Sequence, residues 1–134
     1  MTGAFGYELN LSHLSAEEKS VIREQILMYH QHEELISQGE YDRLSNPFED
    51  EWTAWQCVAT DKSAVLVSLV MTETHGNMPV PYVKLRGLLS DAQYQDKNSG
   101  RIYSGAALMY GGLPVPIRKE AYYAEQIFLE ITEK

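Results

Sequence analysis

The sequence predicts a mainly β chain, an antiparallel β-sandwich of Greek-key type preceded by one long α-helix. Three observations carry that expectation. Apolar residues recur with a helical period from Ser15 to Gln38, and the period changes near residue 40. Beyond that point about seven or eight short apolar runs are separated by Gly, Pro, Asn and Asp, the spacing of a sandwich. The chain has 134 residues and is 44% hydrophobic, enough for one core and too short for two full-sized domains.

The elements follow in order. After an extended lead-in, Ser15-Ala16-Glu17-Glu18 forms a capping box that opens the helix, with two carboxylates at the positive end of its dipole. Val21, Ile22, Ile26, Tyr29 and Ile36 form its apolar stripe, with Leu35 on the flank, and Gly39 is expected to end it as a left-handed cap. Such a helix is about 35 Å long, more than so small a domain needs. Trp52 to Ala59 and Ala64 to Thr72 read as two strands joined by the turn Thr60-Asp61-Lys62-Ser63. The second, nearly continuous in apolar residues, is expected to be buried on both faces, with Val67 and Leu69 in the core. Tyr82 to Arg86 alternates. Ala92 to Gln95 and Arg101 to Ser104 flank a hairpin loop at 96–100. A short helical turn near Ser104–Met109 stops at Gly111-Gly112, Leu113-Pro114-Val115-Pro116 is extended, and Tyr122 to Thr132 is the last strand, with Ile127, Leu129 and Ile131 on one face.

Charge and composition exclude several classes. Eleven basic and 19 acidic residues give a net charge of −8, unsuited to phosphate backbones or anionic membranes. The chain is therefore expected to bind neither nucleic acid nor membrane. No apolar run approaches a bilayer span, and the first residues lack the basic start and apolar stretch of a signal peptide. Cys57 is the single cysteine, which excludes an internal disulfide and multi-cysteine metal sites and fits a reducing, cytoplasmic setting.

Four groups of residues invite a chemical reading. His30-Gln31-His32-Glu33-Glu34 could ligate a metal, but the two imidazoles point about 200° apart on a helix and no second cluster follows. A solvated helix face is the expectation, and no metal or other cofactor is expected. Glu49-Asp50-Glu51, Asp61, Asp91 and Asp96 could supply a carboxylate pair for glycoside hydrolysis, yet they sit in turn-like segments where acids are usual. Trp52 and Trp55, with Tyr41 and Phe48 nearby, could form a sugar platform; their three-residue spacing puts the two Trp on opposite strand faces, so at least one belongs to the core. Cys57 lies within an apolar strand and reads as a buried thiol rather than a nucleophile. No GxSxG, P-loop or GxGxxG motif is present.

Several blocks in order resemble the C-terminal end of a glycoside hydrolase family 36 α-galactosidase. They are Gly3-Ala4-Phe5-Gly6-Tyr7-Glu8-Leu9-Asn10-Leu11 with the capped helix carrying Glu17-Glu18-Lys19, then Tyr41-Asp42-Arg43-Leu44-Ser45-Asn46-Pro47-Phe48 and Asp61-Lys62-Ser63-Ala64-Val65-Leu66-Val67. Leu85-Arg86-Gly87-Leu88 with Asp91-Ala92-Gln93-Tyr94 follows, then Tyr103-Ser104-Gly105, Leu108-Met109 and Gly112-Leu113-Pro114-Val115-Pro116. Tyr110-Gly111 and Leu89-Ser90 depart from the family pattern, both in loops. The resemblance implies that residues 1–39 are the tail of a catalytic (β/α)8 barrel, with its last helix at about 15–38. Residues 40–134 would be the C-terminal β-sandwich. It further implies a parent enzyme that hydrolyses terminal α-galactosyl bonds of melibiose- and raffinose-type oligosaccharides with retention and without a metal. The family's nucleophile and acid/base are Asp residues upstream of this stretch, so no catalytic residue is assigned to this chain, and the chain alone is expected to be inactive. Its expected partners are the catalytic barrel and, through it, the galactosyl substrate. The helix stripe, parted from a barrel, is expected to dock on the chain's own sandwich or to pair two copies as a homodimer. The alternative is a stand-alone carbohydrate-binding sandwich, which would need an exposed aromatic or a polar cleft.

Overall fold

The computed structural model describes residues 5–46, 48–71, 80, 82–115 and 122–133. The readings made above for Gly3-Ala4, Pro47, Thr72 and Pro116 lie outside them.

Local chemistry at the start of the chain sets the helix α1 (Ala16–Gln38). Glu18 N–H donates to Ser15 Oγ at 3.2 Å and Ser15 N–H donates to Glu18 Oε2 at 2.8 Å, completing the capping box. Hydrogen bonds from the Ser15 backbone and then its side chain hold the Glu18 carboxyl below the usual carboxylate range. The other end corrects the sequence expectation. Gly39 has φ −71°, so it is no left-handed cap. Glycine is needed for room instead: a Cβ there would lie 2.4 Å from Leu35 O and 2.9 Å from Val58 O, where the helix end crosses the sheet.

Among the described residues eight strands follow: β1 (Glu40–Arg43), β2 (Trp52–Val58), β3 (Ala64–Met71), β4 (Tyr82–Val83), β5 (Gln93–Asp96), β6 (Ile102–Ser104), β7 (Leu113–Pro114) and β8 (Tyr123–Glu133). Six form an antiparallel sheet in the order β1-β2-β3-β8-β5-β6, and β4 pairs with β7 in a second, small sheet. After β3 the chain builds β4 to β7 before β8 returns beside β3, the crossover a Greek key requires. A π-helical turn at Ala107–Gly111 precedes β7. The strand β1 carries too little apolar pattern to be singled out from sequence; as an edge strand it is held by main-chain pairing with β2. The Tyr82–Arg86 run is a strand only at its first two residues, and Leu85 N–H instead donates to Leu108 O at 3.1 Å.

Register decides which side chains make the core. Val65, Val67, Leu69 and Met71 of β3 lie opposite Leu129, Ile127, Glu125 and Tyr123 of β8. Apart from Glu125, these residues join Ala54 and Val58 of β2 and meet Val83, Leu85, Leu108, Leu113 and Val115 from the small-sheet side in one apolar cluster. Val67 and Leu69 are both buried, as the sequence predicts. The alternate residues of β3, Leu66 and Ser68, are also buried, because α1 packs across β2 and β3 on the other face of the sheet. The chain is thus layered as helix, six-stranded sheet and small sheet.

Candidate functional site

The structure separates the residues that could have formed a chemical site. His30 turns outward, with Nδ1 3.0 Å from Glu33 Oε2 on the exposed helix face. His32 turns inward, its ring 4.4 Å from that of Phe128 on β8. Burial there pushes its pKa below the ordinary imidazole value. Among the described residues no three His, Cys, Asp or Glu gather into a metal-holding group. Cys57 is buried on the helix side of β2, opposite Leu66, and burial pushes its thiol pKa up, away from thiolate chemistry.

Three of the turn acids, Asp50, Asp61 and Asp96, hydrogen-bond within their own turns. Asp61 Oδ1 accepts from Ser63 N–H at 3.0 Å and from its hydroxyl at 2.6 Å. Asp50 Oδ2 accepts from Asn46 N–H at 2.7 Å. Asp96 shares a cleft with Glu125 and Arg101, but its Oδ1 accepts from Asn98 N–H and its Oδ2 from the Ser99 hydroxyl. Both Asp96 carboxylate oxygens are thus taken up by donors of its own turn. The aromatic platform does not assemble either. Trp52 packs against the core opposite Met71, Trp55 lies on the helix side opposite Ser68, and Phe48 is 94% exposed in the β1–β2 connection.

What the fold does build is an open apolar face on α1. The helix seats on its own sheet through Met28, His32 and Leu35, which border clefts over Trp55, Val70, Ala64 and Phe128. The Val21, Ile22, Ile26, Tyr29 and Ile36 stripe does not border these clefts, so of the two dockings expected for it, the one on the chain's own sandwich is made by other side chains. Ile22 and Ile26 lie roughly a third of a turn around the helix from the seated side chains. Of the stripe only Tyr29 is buried, its ring 5.3 Å from that of Phe5 in the lead-in segment. Tyr7 hydroxyl donates to Gln25 Oε1 and helps hold that segment across the helix. Two others of the stripe, Ile22 and Ile26, line with Leu11 and Leu27 a shallow concavity of about 380 Å³, with Lys19 and Arg23 among them. Leu11 is 59% exposed and Leu27 57%. Sequence periodicity finds Ile22 and Ile26; it misses Leu27 and Leu11, which the lead-in turn at Leu11–His13 brings alongside. Exposing such a cluster is unfavourable by about 1.5–3 kcal/mol for each large side chain that could be buried, so the face is suited to another protein surface. Among the described residues no helix is long and apolar enough to cross a membrane.

Comparison with known proteins gives this arrangement a context. Residues 52–129 match the Glycosyl hydrolase family 36 C-terminal domain. Over 134 residues the chain is 51% identical to the bifunctional α-galactosidase/sucrose kinase AgaSK of Mediterraneibacter gnavus, covering 99% of this chain and 14% of that protein. It is 35% identical over 122 residues to α-galactosidase AgaA of Geobacillus stearothermophilus, covering 91% of this chain and 17% of that one. The fold superposes on the galactosidase domain of AgaSK with a TM-score of 0.90 at 50% identity, covering 95% of this chain and 18% of that structure. On the crystal structure of AgaA the TM-score is 0.91 at 33% identity, covering 98% and 18%. The chain therefore spans less than a fifth of the length of these relatives.

Proposed function

Because the chain belongs to glycosyl hydrolase family 36, as its C-terminal domain, we propose that it is the non-catalytic companion of a catalytic barrel in a retaining α-galactosidase. In this reading residues 1–39 are the end of the barrel and residues 40–134 the sandwich that braces it. The observation that carries the reading is the two-sided use of α1. One face seats on the sheet through Met28, His32 and Leu35, while Ile22, Ile26, Leu27 and Leu11 stay open on another side for barrel neighbours. The parent would hydrolyse terminal α-galactosyl bonds of melibiose- and raffinose-type oligosaccharides. Its nucleophile and acid/base, about 5–5.5 Å apart in a retaining enzyme, would come from outside this chain. A cytoplasmic setting is proposed from the buried lone thiol of Cys57.

The test is release of nitrophenol from a nitrophenyl α-galactoside. The purified chain is expected to give no turnover above buffer. Turnover that survives repurification and vanishes on mutating one Asp or Glu of this chain would make it an enzyme in its own right.

A further inference from the structure

On the small-sheet side of the sandwich, away from α1, lies a cleft of about 440 Å³ bordered by Asp50, Trp52, Tyr82, Lys84 and Arg86. Its volume is in the range of small-molecule sites. The segment from Tyr82 to Arg86 alternates: Val83 and Leu85 point into the core, while Tyr82, Lys84 and Arg86 are exposed. Tyr82 presents a ring that is 60% exposed. Trp52 is half-buried, packed on the core and reaching the cleft. Neither Lys84 nor Arg86 has an ion-pair partner among the described residues, which is notable in a chain of net charge −8. Asp50 gives one oxygen to Asn46 N–H, leaving Oδ1 without a partner among the described residues.

We propose that this cleft is an accessory site for a neutral oligosaccharide, with Trp52 and Tyr82 offering ring faces, Lys84 and Arg86 donating to hydroxyls, and Asp50 accepting from one. A sugar presents C–H faces that pack on aromatic rings and hydroxyls that both donate and accept, so it uses every group in the set. An anion would use only the two cations and would be repelled by Asp50 and by the net charge. The site is also preorganised. Gln56 is fully buried and holds the main chain of Arg86 at two points, Nε2 to O at 2.9 Å and N to Oε1 at 3.2 Å. At Gly112, φ is +97°, and a Cβ there would lie 3.0 Å from Tyr82 Cβ, so glycine allows the Tyr82 backbone to sit where it does.

The test is a titration of the ¹⁵N-labelled chain with the tetrasaccharide stachyose, followed by amide NMR shifts. Saturable shifts are expected at Trp52 and at residues 82–86, with a dissociation constant of about 1–10 mM, weakened about tenfold in Y82A and in R86A. Both variants keep the main-chain bonds that hold the segment. K84M removes only an exposed charged tip and serves should either fail to fold, with a weakening of about threefold expected. Three results would each overturn the proposal: no saturable shift by about 50 mM stachyose, shifts unaltered in all three variants, or the same shifts produced by inorganic phosphate. None of them bears on the barrel-facing role of α1, which lies across the six-stranded sheet from the cleft.

Discussion

The side-chain amide of Gln56 and the main chain of Arg86 close a two-point hydrogen-bonded ring, and the second Nε2 hydrogen of Gln56 goes to Asp42 Oδ2 at 2.9 Å. A fully buried amide thereby uses both its donors and its acceptor. It also does for residues 84–86, which form no strand, what a neighbouring strand would do: it fixes them against β2. Replacing Gln56 by Leu removes all three bonds and leaves part of the Arg86 main chain and Asp42 without partners. A loss of about 1–3 kcal/mol in urea unfolding is expected. An unchanged midpoint would show that the ring is dispensable.

Gly105 should tolerate no side chain. A Cβ there would lie 1.9 Å from Leu89 O and 3.2 Å from Tyr94 Cε2. The Tyr94 hydroxyl is itself fixed, donating to Lys62 O at 2.8 Å and accepting from Leu89 N–H at 3.1 Å. The neighbours cannot yield without breaking those bonds. Gly105→Ala is expected to cost about 3 kcal/mol or more, or to prevent folding, read as a thermal shift against wild type.

In the core, Val67→Ala and Leu69→Ala each delete apolar volume at a site with 1% exposure. A loss of roughly 2–4 kcal/mol is expected for each, from lost transfer energy and the cavity left behind. Denaturant midpoints that do not move would show that β3 is not central.

Stability should fall on acidification in two windows. His32 is held neutral by burial against Phe128, so its folded pKa lies below the unfolded value of 6.5. Between those two values the unfolded chain binds the extra proton. The stability from neutral His32 is therefore complete above about pH 6.5 and is lost as pH falls through the folded value. Glu18, also depressed, contributes stability above 4.5 that is lost below it. His32→Gln should flatten the upper window and leave the lower one. Equal pH dependence in wild type and variant would refute the assignment.

The open face of α1 should make the isolated chain self-associate. Ile26 and Leu27 sit at its centre, and burying them in a second copy gains about 1.5–3 kcal/mol per side chain. Sedimentation is expected to show a dimer at high micromolar concentration and a monomer for Ile26→Asp. A wild-type monomer throughout would refute it.

The sequence by itself determined what depends on near neighbours. The capping box at Ser15 and Glu18, the length of α1, the β2–β3 hairpin and the opposite placement of Trp52 and Trp55 all follow from spacing along one element. So does the resemblance, since its blocks are read in order. Only the tertiary structure decided which face of α1 meets the sheet. Ile22 and Ile26 have the stronger apolar signal, but Met28, His32 and Leu35 take the contact, and the helix leaves the sheet at Gly39, where a Cβ would lie 2.4 Å from Leu35 O and 2.9 Å from Val58 O. Tertiary structure likewise revealed the role of Gln56. A lone amide in an apolar strand signals a buried polar group, but its partner Arg86 is thirty residues away. No local period encodes that distance; it is set by how the small sheet closes over the large one.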